Sequence, residues 1–334
     1  MVVIIDTALK LLTDSLLNCT NELKTPPAKV FLSHLNAAFV LALIVATLLN
    51  LLTIGLFVVQ FRYVGSYVTN PYRRAFVLYL AGTAPFMSSF ALVSMFMPRV
   101  WFLAHLLSFF YFSIALYVII CLLLHIADGR QSMVKKMTQN SASFMVQTPP
   151  FCCIFPCLPQ LPVEMKKVRF CEIMVMQTSI VRLIFTIISL ILYFEYFEDS
   201  FIALKVLDFI SLPSLLLGIY GCHILVNTVS KLDELCPFRY IVVFRLLDIF
   251  FMVFGLQQPV FDFLARAGVF GCGDVLPPLE TAFFWKNMAT VVESLVVSII
   301  SSLLLKPSRS ALFDKYPSCR SVMSMSTIET NADN

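Results

Sequence analysis

The sequence predicts an all-α membrane protein: seven transmembrane helices, with the N-terminus outside and the C-terminus in the cytoplasm. Composition is the first observation. Hydrophobic residues make up 59% of the chain and charged residues only 13%, against about 25% charged in an ordinary soluble domain, and the mean hydropathy is +0.86. The second is the length of the apolar runs, since a helix needs roughly 20 such residues to cross hydrocarbon. The third is the distribution of basic residues between alternate flanks of those runs. The formal charge of +4 says little by itself, and no basic stripe of the kind that binds nucleic acid is present.

Residues 1–35 precede the first span. Val2, Ile5, Leu9, Leu12 and Leu16 recur at three- and four-residue spacing, which predicts a short amphipathic helix lying in the membrane interface. Asn18-Cys19-Thr20 makes Asn18 a glycosylation acceptor if this end faces outward. The spans fall near 36–60, 75–97, 101–127, 173–194, 203–228, 238–263 and 282–305, so that residues 36–305 form the transmembrane domain. The first carries no charge. Asn70-Pro71 is a start signal for the second, a capping side chain followed by proline at the first helical position. Residues 306–334 hold many serines and few large apolar groups, which predicts a disordered tail.

One set of flanks holds Lys10, Lys24, Lys29, Arg99 and Arg266. The other has about three times as many basic residues, among them Arg73, Arg74, Lys135, Lys166, Lys167 and Lys306. That excess places the second set in the cytoplasm and the N-terminus outside. Asn18 then falls on the glycosylated side. Cys19 and Cys272 are the thiols left outside, where they are candidates for a disulfide.

The loop of residues 128–172 is the least ordinary part of the chain. Pro149 to Pro159 packs three cysteines and four prolines among apolar residues, a composition that excludes helix interior and suits a loop lying on the membrane face. Reversible acylation of Cys152, Cys153 and Cys157 is one reading, since membrane-adjacent thiols are its typical targets. Each chain would add about 0.8 kcal/mol per buried CH₂. Free reduced thiols are a second. A metal site is disfavoured, because a closed tetrahedron needs about four ligands and no histidine lies close.

An ionisable group at mid-bilayer costs about 2.5–3.5 kcal/mol even on a lenient scale, so each should have a partner or a task. Lys205 with Asp208, and Arg245 with Asp248, are three apart and able to meet on one helix face. Lys286 and Glu293 share a face across two turns. Arg182 has no acid within four positions, which leaves a bridge to Asp208 or Asp248 on another helix, or a counter-charge for an anionic substrate. Gln177, His105, His223, Gln257 and Gln258 are further polar groups within spans, read either as inter-helix hydrogen-bond partners or as ligand contacts.

Several runs in fixed order carry a family likeness. They are Tyr72-Arg73-Arg74 with Pro85 and Pro98-Arg99, then Tyr111-Phe112-Ser113 through Asp128-Gly129. After the proline-flanked run from Pro149 to Pro159 come Gln177 and Arg182, and Leu256-Gln257-Gln258-Pro259 closes the set. Over about residues 36–305 the chain resembles the alpha subunit of the organic solute transporter, a family that moves bile acids and steroid conjugates. The resemblance implies a plasma-membrane carrier that works down a gradient without ATP, an obligate beta subunit with one spanning helix, and no cofactor. It also makes Arg182, Gln177, His105, Asp208, Gln257 and Gln258 the candidate contacts for an amphipathic anion. The main rival is a seven-helix receptor, against which the third span ends in His125-Ile126-Ala127-Asp128-Gly129-Arg130 rather than an acidic-Arg-aromatic triplet. An enzyme is weaker still, since no zinc-protease or nucleophile-elbow motif is present.

Overall fold

Seven helical spans of the computed structural model are long and apolar enough to cross a membrane. The structure describes residues 25–139, 143–149, 161–196, 200–230, 232, 235–271 and 275–316. The expected interfacial helix, Asn18, Cys19, Cys152, Cys153, Cys157 and Cys272 lie outside them. The helices are α1 (Ala28–Ser33), α2 (Ala37–Tyr67), α3 (Pro71–Ala81), α4 (Thr83–Phe96), α5 (Trp101–Ile126), α6 (Arg130–Gln139), α7 (Met165–Tyr196), α8 (Phe201–Val229), α9 (Tyr240–Arg266) and α10 (Pro278–Leu304). A two-residue antiparallel ribbon, β1 (Ser143–Phe144) with β2 (Leu161–Pro162), is the sheet among the described residues.

The expected spans are all present, with ends set by local chemistry rather than by hydropathy. Asn70 caps α3 as its sequence predicts, its Oδ1 accepting from the amides of Tyr72 at 2.9 Å and Arg73 at 3.3 Å. The second span is broken between α3 and α4 at Gly82. A Cβ at Gly82 would lie 2.8 Å from the Tyr111 hydroxyl, so the break lets α5 approach closely. There the Tyr79 and Tyr111 rings stack at 4.4 Å, and each hydroxyl donates to the other residue's carbonyl, at 3.1 and 2.8 Å. The fourth span begins at Met165 rather than 173, because Lys166, Lys167 and Arg169 continue the helix without being apolar.

Two compact units emerge from the packing. Unit 1 comprises Met1–Phe57, Ala84–Ser108 and Leu247–Ile299; unit 2 comprises Val58–Thr83, Phe109–Leu246 and Ile300–Asn334. The apolar core of unit 1 gathers Phe31, Leu43, Ala46, Met95, Phe284 and Val291, with Phe39 set edge-on to both Phe31 and Phe284. Thr25 ties its ends together: the hydroxyl donates to Glu280 at 2.8 Å and the carbonyl accepts from Arg99 at 3.1 Å.

Unit 2 is built on α7 packed against α8. The buried stripe Val175, Thr178, Arg182, Thr186 and Ser189 recurs every three or four residues along α7, which turns its small polar face inward. The segment expected to be a disordered tail is packed as far as Tyr316. Ala311, Leu312 and Phe313 are buried, the Ala311 amide donates to the Pro237 carbonyl at 2.9 Å, and the Lys315 amide to the Tyr67 carbonyl at 3.1 Å. A short apolar knob therefore outweighs the serine-rich composition around it.

The loop of residues 128–172 is also more ordered at its start than its composition suggests. Asp128 and Gly129 turn the chain at positive φ, 57° and 97°, where glycine is unstrained, and the Gly129 amide donates to Leu124 O at 2.8 Å. Helix α6 follows, burying Met133 and Met137. Arg130 anchors it through Nε to both Glu172 oxygens of α7, at 2.8 and 2.7 Å. The bond to Glu172 raises the Arg130 guanidinium above its ordinary value. Replacing Arg130 by Ala leaves the Glu172 carboxylate, 9% exposed, without this partner at a cost of about 1–3 kcal/mol. Amide exchange over residues 130–139 is expected to quicken about tenfold or more; an unchanged exchange rate would show that the two methionines alone hold the helix.

Candidate functional site

Arg182 is placed by the fold near the middle of α7, 7% exposed. Three groups hold it. Its Nη1 donates to Asp208 Oδ1 of α8 at 3.3 Å and to Ser211 Oγ at 2.8 Å, and its guanidinium carbon lies 4.7 Å from the centroid of the Phe109 ring. A cation held by one carboxylate, one hydroxyl and one ring face is compensated on one edge. The Nε is buried and has no hydrogen-bond partner among the described residues. Of the two readings left by the sequence, the inter-helix bridge to Asp208 is the one present, and Asp208 meets Arg182 rather than serving only its own helix. The pair is asymmetric: the Arg182 side chain is 8% exposed and the Asp208 side chain 37%.

Helix α8, which supplies the partners, carries Pro213 within it, a residue that lacks the amide for the carbonyl four residues back. Polar side chains from α7 meet α8 around this point. Gln177 Nε2 donates to Ser214 O at 3.4 Å, Ser214 Oγ donates to Gln177 Oε1 at 3.3 Å, and Thr178 Oγ1 donates to Ser214 O at 2.9 Å. Gln177, Arg182 and Asp208 therefore belong to one seam of unit 2. Ser211, Ser214 and Thr178 are its unforeseen members; their spacing relative to Pro213 was the available signal.

His105 and Gln257 belong to unit 1. His105 Nδ1 is 3.4 Å from Lys286 Nζ, and the His105 ring lies over Phe254 at 6.1 Å. Gln257 accepts from Thr290 Oγ1 at 3.2 Å and donates through Nε2 to Glu293. Lys286 and Glu293, which share a face across two turns, thus each face another helix. Gln258 points elsewhere than its neighbour, its Oε1 buried without a partner among the described residues. Arg245, paired by its spacing with Asp248, donates to Asn227 Oδ1 at 3.1 Å. Among the described residues no three His, Cys, Asp or Glu side chains gather as a metal site.

The family model described as organic solute transporter Ostalpha matches residues 42–309. The chain belongs to the organic solute transporter alpha family. Organic solute transporter alpha-like protein 2 of Caenorhabditis elegans is 58% identical to it over 98% of this chain and 96% of its own length. Alpha-like protein 3 of the same animal is 32% identical over 90% of this chain and 86% of its own. The organic solute transporter subunit alpha of Danio rerio is 19% identical over 70% and 72%. No solved structure matches it. Membership makes this a multi-pass membrane protein of a transporter family, whose relatives are named as transporter proteins and not as enzymes. The family match encloses both the Arg182 seam and the Lys286 cluster, and leaves Asn18 and Cys19 before its first residue.

Proposed function

We propose that this chain is a facilitative transporter subunit that moves amphipathic organic anions, bile acids and steroid conjugates, across the plasma membrane together with a single-span beta subunit. The observation that carries the reading is the Arg182–Asp208 pair, enclosed at its cation and open at its carboxylate. An anionic head arriving from the open side competes with Asp208 for the guanidinium. Its apolar body meets side chains such as Phe209 and Ile210, both exposed on α8. Exchange of one carboxylate for another at a fixed cation costs less than stripping the cation bare, which is what a carrier working down a gradient requires. Gln177 is a neighbouring polar contact, and His105, Gln257 and Gln258 are contacts in unit 1.

The basic flanks support an N-terminus outside and a C-terminus in the cytoplasm. In that orientation Asn18 is the glycosylation site, Cys19 and Cys272 are available to each other as a disulfide, and Cys152, Cys153 and Cys157 face the compartment where acyl chains are attached. Uptake of radiolabelled steroid sulfate and taurocholate, in cells expressing the chain with and without a single-span partner, tests the reading. Uptake is expected with the partner, and Arg182→Ala at matched surface level is expected to lower it about tenfold or more. Absence of uptake in both arms, or full uptake by Arg182→Ala, would sink it. Agonist-dependent G-protein coupling without flux would instead favour a receptor.

A further inference from the structure

Lys286 of α10 is 3% exposed. Its Nζ faces the His105 imidazole of α5 at 3.4 Å and the ring of Phe254 of α9 at 4.9 Å from the centroid. Among the described residues no carboxylate oxygen comes within the 4.0 Å of an ion pair. Seven residues on, Glu293 accepts from Gln257 with Oε1, while its Oε2 is buried with no hydrogen-bond partner among the described residues. A buried amine facing a base, and a buried carboxylate oxygen without a hydrogen-bond partner among the described residues, are two halves of one unfinished arrangement.

We propose that Lys286, His105 and Glu293 form a proton-exchange site in the membrane-spanning part of unit 1. With the proton on Nζ, the ammonium donates to neutral Nδ1 and Glu293 is ionised, for a net charge of zero. With one proton released from Nζ to water and one taken up from water at Glu293 Oε2, the imidazole in its Nδ1–H tautomer donates to the amine and every group is neutral, again for zero. One further proton taken from water onto the carboxylate, while the ammonium keeps its own, makes the site +1; loss of the ammonium proton, with Glu293 ionised, makes it −1. Lysine can hand its proton away when buried, which arginine cannot, and ionisable groups inside membranes mark such relays.

The surroundings leave these three groups in charge of the balance. Gln257, Phe254 and Thr290 are neutral. Along α9, Asp262 is taken by Arg266 at 2.9 Å, and Asp248 lies six residues before Phe254. Glu280, six residues before Lys286, accepts from Thr25. If solutes move as proposed above, on which this extension rests, the +1 state holds an anionic passenger more strongly than the others, and the rate of movement depends on pH.

The chain has two tryptophans. Trp101 is one turn before His105, and Trp285 adjoins Lys286. Their emission is to be titrated from about pH 5 to 9, across the histidine range, in purified full-length protein in nanodiscs. A single transition is expected in the wild type. Lys286→Met and Glu293→Gln should each move its midpoint by about one pH unit or more, or remove it, while Lys135→Met, on the exposed side of α6, should leave it alone. Lys286→Arg, which keeps its charge, covers the case in which Lys286→Met fails to fold, and it too should move or remove the transition. A wild type without a transition, or a midpoint unmoved by the Lys286 and Glu293 variants, overturns the proposal. A transition in protein that carries no solute keeps the site and ends the transport reading; flux without a transition does the reverse.

Discussion

Arg182→Met is expected to destabilise unit 2 by about 1–3 kcal/mol, the range found when hydrogen-bonded polar partners are left unsatisfied. The loss arises at the partner left behind. Asp208, partly exposed, would lose its guanidinium, and Ser211 would lose the donor now 2.8 Å away. Asp208→Asn leaves the more enclosed charge without its carboxylate, so it is expected to cost at least as much, softened by the Ser211 and Phe109 contacts that Arg182 keeps and by an amide oxygen that still accepts a hydrogen bond. The double variant Arg182→Met with Asp208→Leu removes both charges together with their desolvation, and should recover most of the loss. A double-mutant cycle on thermal unfolding in detergent measures the coupling, expected at about 2 kcal/mol. Strictly additive losses would show that Arg182 is held by its ring and hydroxyl contacts and not by the carboxylate. The reversal Arg182→Asp with Asp208→Arg separates stability from transport, since it restores the pair but buries the carboxylate where an anion would need the cation.

Much of this is legible in the sequence, and the part that is not has a common cause. Spans announce themselves because hydrocarbon demands continuous apolar length, and Asn70-Pro71 fixed a helix start because a cap is chemistry between near neighbours. The start of α7 was missed by eight residues because hydropathy marks the membrane, whereas Lys166 and Lys167 are good helix formers outside it. Lys286 and Glu293 share a face, but seven residues rise about 10.5 Å along a helix, too far for a direct bond, so other helices supply the partners. The need of Arg182 for a partner is legible, and so are its two candidates; the choice of Asp208 over Asp248 is not, since that depends on how closely α7 and α8 approach. Composition also misled at residues 306–316, where three buried side chains decide the packing among serines that do not oppose it.

That approach is set at Gly218, and Gly218→Val is expected to abolish it. A Cβ on Gly218 would collide with Thr178 Oγ1 and lie 2.9 Å from Thr178 Cβ, and no rotation of the threonine side chain moves its Cβ away. Thr178 is itself tied down, donating to Ser214 O at 2.9 Å and Met174 O at 3.2 Å. Gly221, one turn on, repeats the close contact, its Cβ position being 3.0 Å from Cys171 O. Small residues at this spacing let two helix backbones meet in a membrane, where packing and not the hydrophobic effect drives association. Gly218→Ala should therefore cost about 1–3 kcal/mol, and the larger valine more, seen as a lower melting temperature and loss of folded protein in detergent. The injury should travel one turn: Arg182 follows Thr178 on α7, and Asp208 and Ser211 precede Gly218 on α8, so parting the helices stretches the ion pair as well. Thr178→Gly in the Gly218→Ala background removes the obstructing side chain and should recover part of the loss. Gly55→Ala is the control, because nothing lies within 4 Å of a Cβ there and alanine favours a helix over glycine by about 0.8–1.0 kcal/mol. Equal effects at Gly55 and Gly218 would mean that backbone freedom, and not contact with Thr178, is what glycine supplies to α8.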